Sequence, residues 1–174
     1  MRQRISADED SGRSSRVTVG SLLAELEDYE QIDIEPSAQS GTEGREQEED
    51  RPQEVLTTVT NALFPGAGFR FDEDLIKQNL DETLLMLVSL REGGIHGKGL
   101  MDDLARLFNA RLSPGTVYPQ LHELENGGLL QMHEKVRTKE YNISDDRGVR
   151  TRLERSMYQH LAFGYAIYLA LEDD

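Results

Sequence analysis

From Asn79 onward, apolar residues recur every three or four positions, and glycine pairs punctuate the pattern. Leu80, Leu84, Leu87 and Val88 share one helical face, widened by Leu85, Met86 and Leu90. Asn79, followed three residues later by Glu82, has the form of a capping box, and Gly93-Gly94 ends this first helix. A second helix is predicted from about Gly97 to Phe108, with Leu100, Leu104, Leu107 and Phe108 as its stripe and Asp102, Asp103 and Arg106 outside. A third starts with Ser113 as N-cap and Pro114 at the first helical position, and spans 113–126. Its inward face is Val117, Leu121 and Leu124, and Gly127-Gly128 stops it.

The period then changes. Leu129–Lys135 and Lys139–Ile143 read as two short strands joined by Val136-Arg137-Thr138, with Tyr141 and Ile143 on one face. Ser144-Asp145-Asp146 opens a long last helix, its acids at the positive end of the dipole. The second and third helices are joined only by Asn109–Leu112. The expected fold is therefore mainly α with a small β-hairpin: a winged helix-turn-helix over 79–144 and a long C-terminal helix over 145–171.

The part before Asn79 patterns poorly. Residues 1–52 read as an acidic, largely disordered extension, with a short amphipathic helix at 21–30 carrying Leu22, Leu23 and Leu26. Within it, Pro36–Arg51 reads as a Ser/Gly/Glu-rich linker. Residues 53–78 form a connecting segment. In it Val55, Leu56, Val59 and Leu63 have helical spacing, against the β-branched run Thr57-Thr58-Val59-Thr60, before Pro65-Gly66-Ala67-Gly68 breaks the chain. No Gly-Lys-Ser/Thr follows that Gly-x-Gly, so it is not a phosphate loop.

Composition narrows the function. The 174 residues leave room for one ordinary domain with appendages. With no Cys there is no disulfide framework or thiolate metal site, and four scattered His do not suggest a metal centre. The longest apolar run, Leu161–Leu171, is too short to span a bilayer, and no apolar signal region opens the chain; a cytoplasmic protein is expected. No catalytic pattern is present: no Gly-x-Ser-x-Gly, no His-Glu-x-x-His, and the adjacent acids Asp102-Asp103 and Asp145-Asp146 diverge on a helix. Neither enzyme activity nor a cofactor is expected.

The net charge of -14 first argues against nucleic acid. Its distribution reverses that. Residues 1–78 hold 8 cations and 18 acids, whereas 91–155 hold 11 cations and 10 acids. Acidity with only 4 Lys against 15 Arg also suits a protein dissolved in concentrated salt, so a halophilic source is expected.

Three stretches then resemble a family: Gly94-Ile95-His96-Gly97, the run Leu112-Ser113-Pro114-Gly115-Thr116-Val117-Tyr118-Pro119-Gln120-Leu121-His122-Glu123-Leu124-Glu125, and Gly128-Leu129-Leu130. With Lys139-Glu140-Tyr141-Asn142-Ile143-Ser144 after the wing, they are similar to the PadR-like transcriptional regulators over about residues 79–171. The single helix after the wing is similar to the smaller subgroup. The resemblance implies a dimeric winged-helix protein that binds double-stranded DNA. Two positions depart from the family: Lys98 replaces a usual Tyr, and Glu123 stands where Arg or Lys is frequent.

A recognition helix keeps one face in the core and turns the other to the major groove. Here that outer face carries Thr116, Tyr118, Pro119, Gln120 and Glu123. Gln120 suits adenine, Thr116 a thymine methyl or a phosphate, and the start Ser113–Gly115 a phosphate on free N–H groups. Lys98 adds a phosphate contact. Lys135, Arg137 and Lys139 on the wing suit phosphates or the minor groove, unless Glu134 and Glu140 neutralise them. His96, before Gly97, reads as a structural cap. At molar salt counterion release contributes less, so the affinity should be less salt-sensitive than that of a basic homologue.

On the last helix Leu153, Met157, His160, Gly164, Ile167 and Leu171 form a heptad seam, with Leu161, Tyr165 and Tyr168 beside it. This is the expected homodimer interface, and a two-fold dimer predicts a palindromic operator with half-sites about 34 Å apart. Tyr158, Phe163, Tyr165 and Tyr168 are where a small-molecule effector would lie, but the stripe fits packing better than ligand binding. The alternative reading is a winged-helix protein-interaction module without DNA binding, using the acidic N-terminal part and the last helix. A third makes the N-terminal segment a recruiter of transcription machinery.

Overall fold

The computed structural model describes residues 43–64, 68–135 and 138–172. The short helix expected at 21–30 and the linker up to residue 42 lie outside the described residues, as does Arg137.

The chain order is α1 (Glu43–Leu63), α2 (Glu73–Gln78), α3 (Leu80–Ser89), β1 (Ile95–His96), α4 (Gly97–Phe108), α5 (Pro114–Asn126), β2 (Leu130–Lys135), β3 (Thr138–Ile143) and α6 (Asp146–Glu172). The three strands form one antiparallel sheet in the order β1-β3-β2. Leu130 pairs with Ile143 and Lys135 with Thr138, so the wing is in register to its tip. The helices and hairpin predicted from Asn79 onward are present, giving a mainly helical winged helix-turn-helix followed by one long helix.

One core serves this unit. Leu84, Leu85, Leu87 and Val88 of α3 meet Leu100 and Leu104 of α4, Val117, Leu121 and Leu124 of α5, and Leu130 and Tyr141 of the wing. Each large side chain fully buried there contributes about 1.5–3 kcal/mol. Val149 and Leu153 tie the first turns of α6 to the same cluster.

Several local expectations are corrected. Asn79 is the N-cap of α3, but its side chain makes no cap bond. Its amide donates instead to the Leu75 carbonyl of α2, and Glu82 accepts from Arg152, so no capping box forms. Helix α3 ends at Ser89, before the glycine pair, where its last carbonyls are met by Leu90 N–H. Gly94 serves a different purpose. Its φ is +74°, and a Cβ there would fall 2.2 Å from Asn142 Oδ1, so only glycine lets the chain turn into β1. That two-residue strand was too short to pattern. It exists because Ile95 and His96 pair with Tyr141 and Glu140.

The segment read as linker is helical from Glu43, and α1 runs through Pro52. Pro52 removes one backbone hydrogen bond, yet its ring is buried, as a helix docked on a core allows. The β-branched run is accommodated because Thr58 and Thr60 hydroxyls donate to the carbonyls of Glu54 and Leu56, each at 2.9 Å. From Leu63 an aromatic series leads inward: Phe64 stacks on Phe69 at 4.2 Å, Phe69 meets Phe71 edge-on, and Phe71 leans on Phe108 of α4.

Asp103 overturns its expected outward position. It is buried, with Arg91 paired to one carboxylate oxygen and Arg106 3.0 Å from the other. Arg106 also donates to Gln53 of α1 at 3.1 Å. A second bridge, Arg152 to Asp81 (2.6 Å) and Glu82 (3.1 Å), fixes α6 on α3. Burial opposes the charge on Arg152, but Glu82 and Asp81 outweigh it and raise its pKa. On α2, Lys77 first and the Arg111 N–H second hold the Glu73 carboxyl below its ordinary value.

Two outcomes follow. Asp103→Ala leaves Arg91 buried and unpaired, and urea titration should show a loss of about 3–5 kcal/mol. Burial first, then the charges of Tyr118 and Glu125, push the Tyr141 phenol above its ordinary value. Because the neutral form is favoured in the fold, this stabilisation is full below the unfolded tyrosine pKa and is lost as pH rises through the folded one. In an alkaline absorbance titration, Tyr141→Phe should remove tyrosinate signal from above the ordinary tyrosine range.

Candidate nucleic-acid interface

The third helix of the sequence pattern is α5, and its start is open. Ser113 occupies the N-cap with extended backbone, but its side chain caps no N–H. Its Oγ lies 3.1 Å from Thr116 Oγ1 instead. Pro114 has no N–H and the Thr116 N–H donates to the Ser113 carbonyl at 2.9 Å, which leaves the Gly115 N–H of the first turn for an anion. Ser113, Gly115 and Thr116 are all exposed.

Tyr118 is exposed and leans toward the start of α4, where a Cβ on Gly97 would fall 2.6 Å from its ring. Gly97 is therefore required for this placement. His96 acts as the expected cap: its Nδ1 accepts the Gly99 N–H at 2.8 Å. This assigns the neutral-ring proton to Nε2.

Between α5, the start of α4 and the wing runs a slot of about 880 Å³. Lys98 and Lys139 line it together with Tyr118, His122, Met132 and Tyr141. The structure thus brings Lys98, Tyr118 and Lys139 to one place. His122 and Asn126 at the slot were not singled out from sequence. Their spacing of four and eight residues from Tyr118 is the signal that places them on its face. His122 Nδ1 lies 3.4 Å from Glu125 Oε2.

Two expected contacts are placed otherwise. Gln120 is only partly exposed. With its amide oriented to suit its neighbours, the nitrogen donates to Asp81 Oδ1 at 2.8 Å and to Glu123 Oε2 at 3.3 Å. It therefore joins α5 to α3 rather than standing free on the outer face, because two carboxylates attract its amide protons. Lys135 is paired with Glu140 at 2.5 Å, so the wing is partly neutralised, as Glu140 in the sequence allowed. Lys139 lies across the hairpin from Glu134.

Along α6 the seam residues divide. Leu153, Met157 and Leu161 are partly buried, whereas His160, Gly164, Ile167, Tyr168 and Leu171 are exposed in the single chain. Leu171 is 72% exposed and Phe163 69%. Tyr165 and Tyr168 stack on each other at 6.3 Å, and His160 Nδ1–H donates to the Ser156 carbonyl at 2.8 Å. Nothing is packed around Gly164. No helix among the described residues is long and apolar enough to cross a membrane, and no His/Asp/Glu group among them could hold a metal ion.

Comparison with known proteins accords with this geometry. Residues 85–154 match the transcriptional regulator PadR-like family. The chain is 34% identical to the transcriptional activator GvpE1 of Halobacterium salinarum over 120 residues, covering 69% of this chain and 62% of that protein. It is 39% identical to the transcriptional activator GvpE of Haloferax mediterranei over 102 residues, covering 59% of this chain and 52% of that one. The chain thus spans between half and two thirds of the length of these relatives. The likeness to GvpE1 is also longer than the family region itself, so it reaches beyond the winged helix. A solved PadR-like transcription factor from Bacteroides fragilis aligns with 56% of this chain and 94% of its own, at 20% identity and a TM-score of 0.43. Residues 85–154, from within α3 through α4, α5 and the wing to the base of α6, belong to the PadR-like family of transcriptional regulators.

Proposed function

We propose that the protein is a homodimeric, DNA-binding transcriptional regulator. The observation that carries this is the slot: two open lysines, Lys98 and Lys139, line one groove of a PadR-like domain together with Tyr118 and His122 of α5. Helix α5 enters the major groove with Thr116 and Tyr118 toward the bases. Ser113 and Gly115 offer N–H groups to a phosphate, and the wing 135–139, with Lys135, Arg137 and Lys139, follows the backbone or minor groove. The Lys135–Glu140 pair favours Lys139 over Lys135 as the working wing contact.

The exposed apolar half of α6 supports a dimer formed through His160, Gly164, Ile167, Tyr168 and Leu171, continuing the face that buries Leu153 and Met157. Two-fold symmetry then calls for a palindromic operator. The names of the relatives favour activation as the sign of regulation. The acidic composition and the halophilic archaeal source of those relatives favour a salt-rich cytoplasm as the working environment.

Selection from a random-sequence duplex library is the test. The wild type should enrich a two-fold symmetric site with half-sites about 10 base pairs apart. Lys98→Glu/Lys139→Glu should weaken binding to it at least about ten-fold, because two phosphate contacts become repulsions. A folded wild type that enriches no sequence would sink the proposal in favour of the interaction module. Separately, Ile167→Glu/Leu171→Glu should convert dimer to monomer in sedimentation analysis; an unchanged dimer would place the interface elsewhere.

A further inference from the structure

Among the described residues many cations of this acidic chain are paired, while others meet no acceptor, Arg51, Arg147 and Arg155 among them. Arg91 and Arg106 meet Asp103, Arg152 meets Asp81 and Glu82, Lys77 meets Glu73, Lys135 meets Glu140, and Arg150 meets Glu154. Lys98 and Lys139 stay open in the slot. Arg70 and Arg111 are exposed too, and the guanidinium of neither meets an acceptor among the described residues.

Their positions are not arbitrary. Arg111 lies in the turn between α4 and α5, two residues before Ser113, so the two Cα atoms are at most about 7 Å apart. Arg70 lies along the same turn: together with Asn109, Phe69 and Arg106 it lines the groove between α1 and α4. Its backbone is held there from both sides. The Phe69 ring meets Phe71 at 5.0 Å, and Phe71 meets Phe108 of α4 at 5.2 Å. Glu73, three residues on, accepts the Arg111 N–H at 3.1 Å. The carboxylates beside them are engaged: Asp72 Oδ1 accepts the N–H groups of Asp74 and Leu75, and Glu73 faces Lys77 at 2.6 Å as well as the Arg111 N–H. Two unneutralised guanidinium groups thus belong to the turn that leads into α5 and to the segment hydrogen-bonded to that turn. Guanidinium matches phosphate through paired N–H groups.

The geometry points to residues 68–72, together with the α4–α5 turn, as a second DNA-contacting element, in which Arg70 and Arg111 hold backbone phosphates beside the base-reading helix. This rests on the DNA-binding reading above and extends it, because Arg70 precedes the family region altogether. The protein covers more of the duplex than its winged helix alone would.

The probe is the fluorescent duplex recovered by the wild type from the random library, titrated by anisotropy in KCl from about 0.2 to about 2 M. Arg70→Gln/Arg111→Gln should make the plot of log affinity against log salt shallower by about two units, one for each lost phosphate contact. It should lower affinity at the low-salt end at least about ten-fold and leave the base preference unchanged. Arg147→Gln/Arg155→Gln, the same charge change on α6, should leave both slope and affinity as in the wild type. Arg70→Lys/Arg111→Lys keeps the charge and should keep the slope, and it stands in if the Gln pair fails to fold. A wild-type slope for the Gln pair overturns the inference, as does an equal loss in the α6 pair, which would be an effect of net charge. If the Lys98/Lys139 variant loses binding while the Arg70/Arg111 variant does not, only this inference falls. If the wild type recovers no duplex, the DNA-binding reading itself has failed.

Discussion

A carboxylate with two arginines holds the winged helix together. Asp103 sits inside α4 with Arg91 on one side and Arg106 on the other. Arg91 belongs to the loop leaving α3, so the pair fixes where the chain re-enters as β1 and α4. Arg106 reaches on to Gln53, so the same carboxylate also fixes α1. Taking a charge out of water into the interior costs several kcal/mol, and only a paired and hydrogen-bonded arrangement offsets it. Arg91 Nε remains without a hydrogen-bond partner, which makes the carboxylate contact the more necessary. The slot between α5 and the wing keeps its shape because α4 is held in this way, with His96 capping its first turn and Gly97 leaving space for Tyr118.

Much of the fold was legible because its signals were local and agreed. Periodicity marked α3, α4 and α5, Ser113-Pro114 marked the start of α5, and alternation marked the wing. What failed depended on partners distant in sequence. Asp103 reads as a surface acid beside Asp102 until Arg91, twelve residues earlier, is folded onto it. Asn79 and Glu82 have capping-box spacing, yet Leu75 and Arg152 compete successfully for their side chains. Helix α1 was unreadable as a whole because Pro52, the glycines before it and the threonines after it argue against helix, while only Val55, Leu56, Val59 and Leu63 have its spacing. Docking on α4 decides in its favour.

The candidate site shows the same division. Tyr118, Lys98 and Lys139 were identified from sequence, and the structure brings them together. Gln120 was placed on the outer face by helical geometry, but a side chain at the edge of a face is claimed by whichever neighbour offers charge. Asp81 does so here. Arg70 and Arg111 were passed over because they lie in irregular chain, where periodicity carries no information about direction.

The bridge from Arg152 to Asp81 gives α6 a role beyond the dimer contact proposed for it. Asp81 accepts from Arg152 of α6 with one oxygen and from Gln120 of α5 with the other. One carboxylate on α3 is thus gripped by the long helix and by α5 at once. The outer half of α6 works as a lever whose fulcrum is this joint. A rotation of the lever would load Asp81 and, through it, Gln120 of α5. In the proposed dimer, the angle between the two levers would then bear on the separation of the two α5 helices, and with it on the length of DNA that both could engage together.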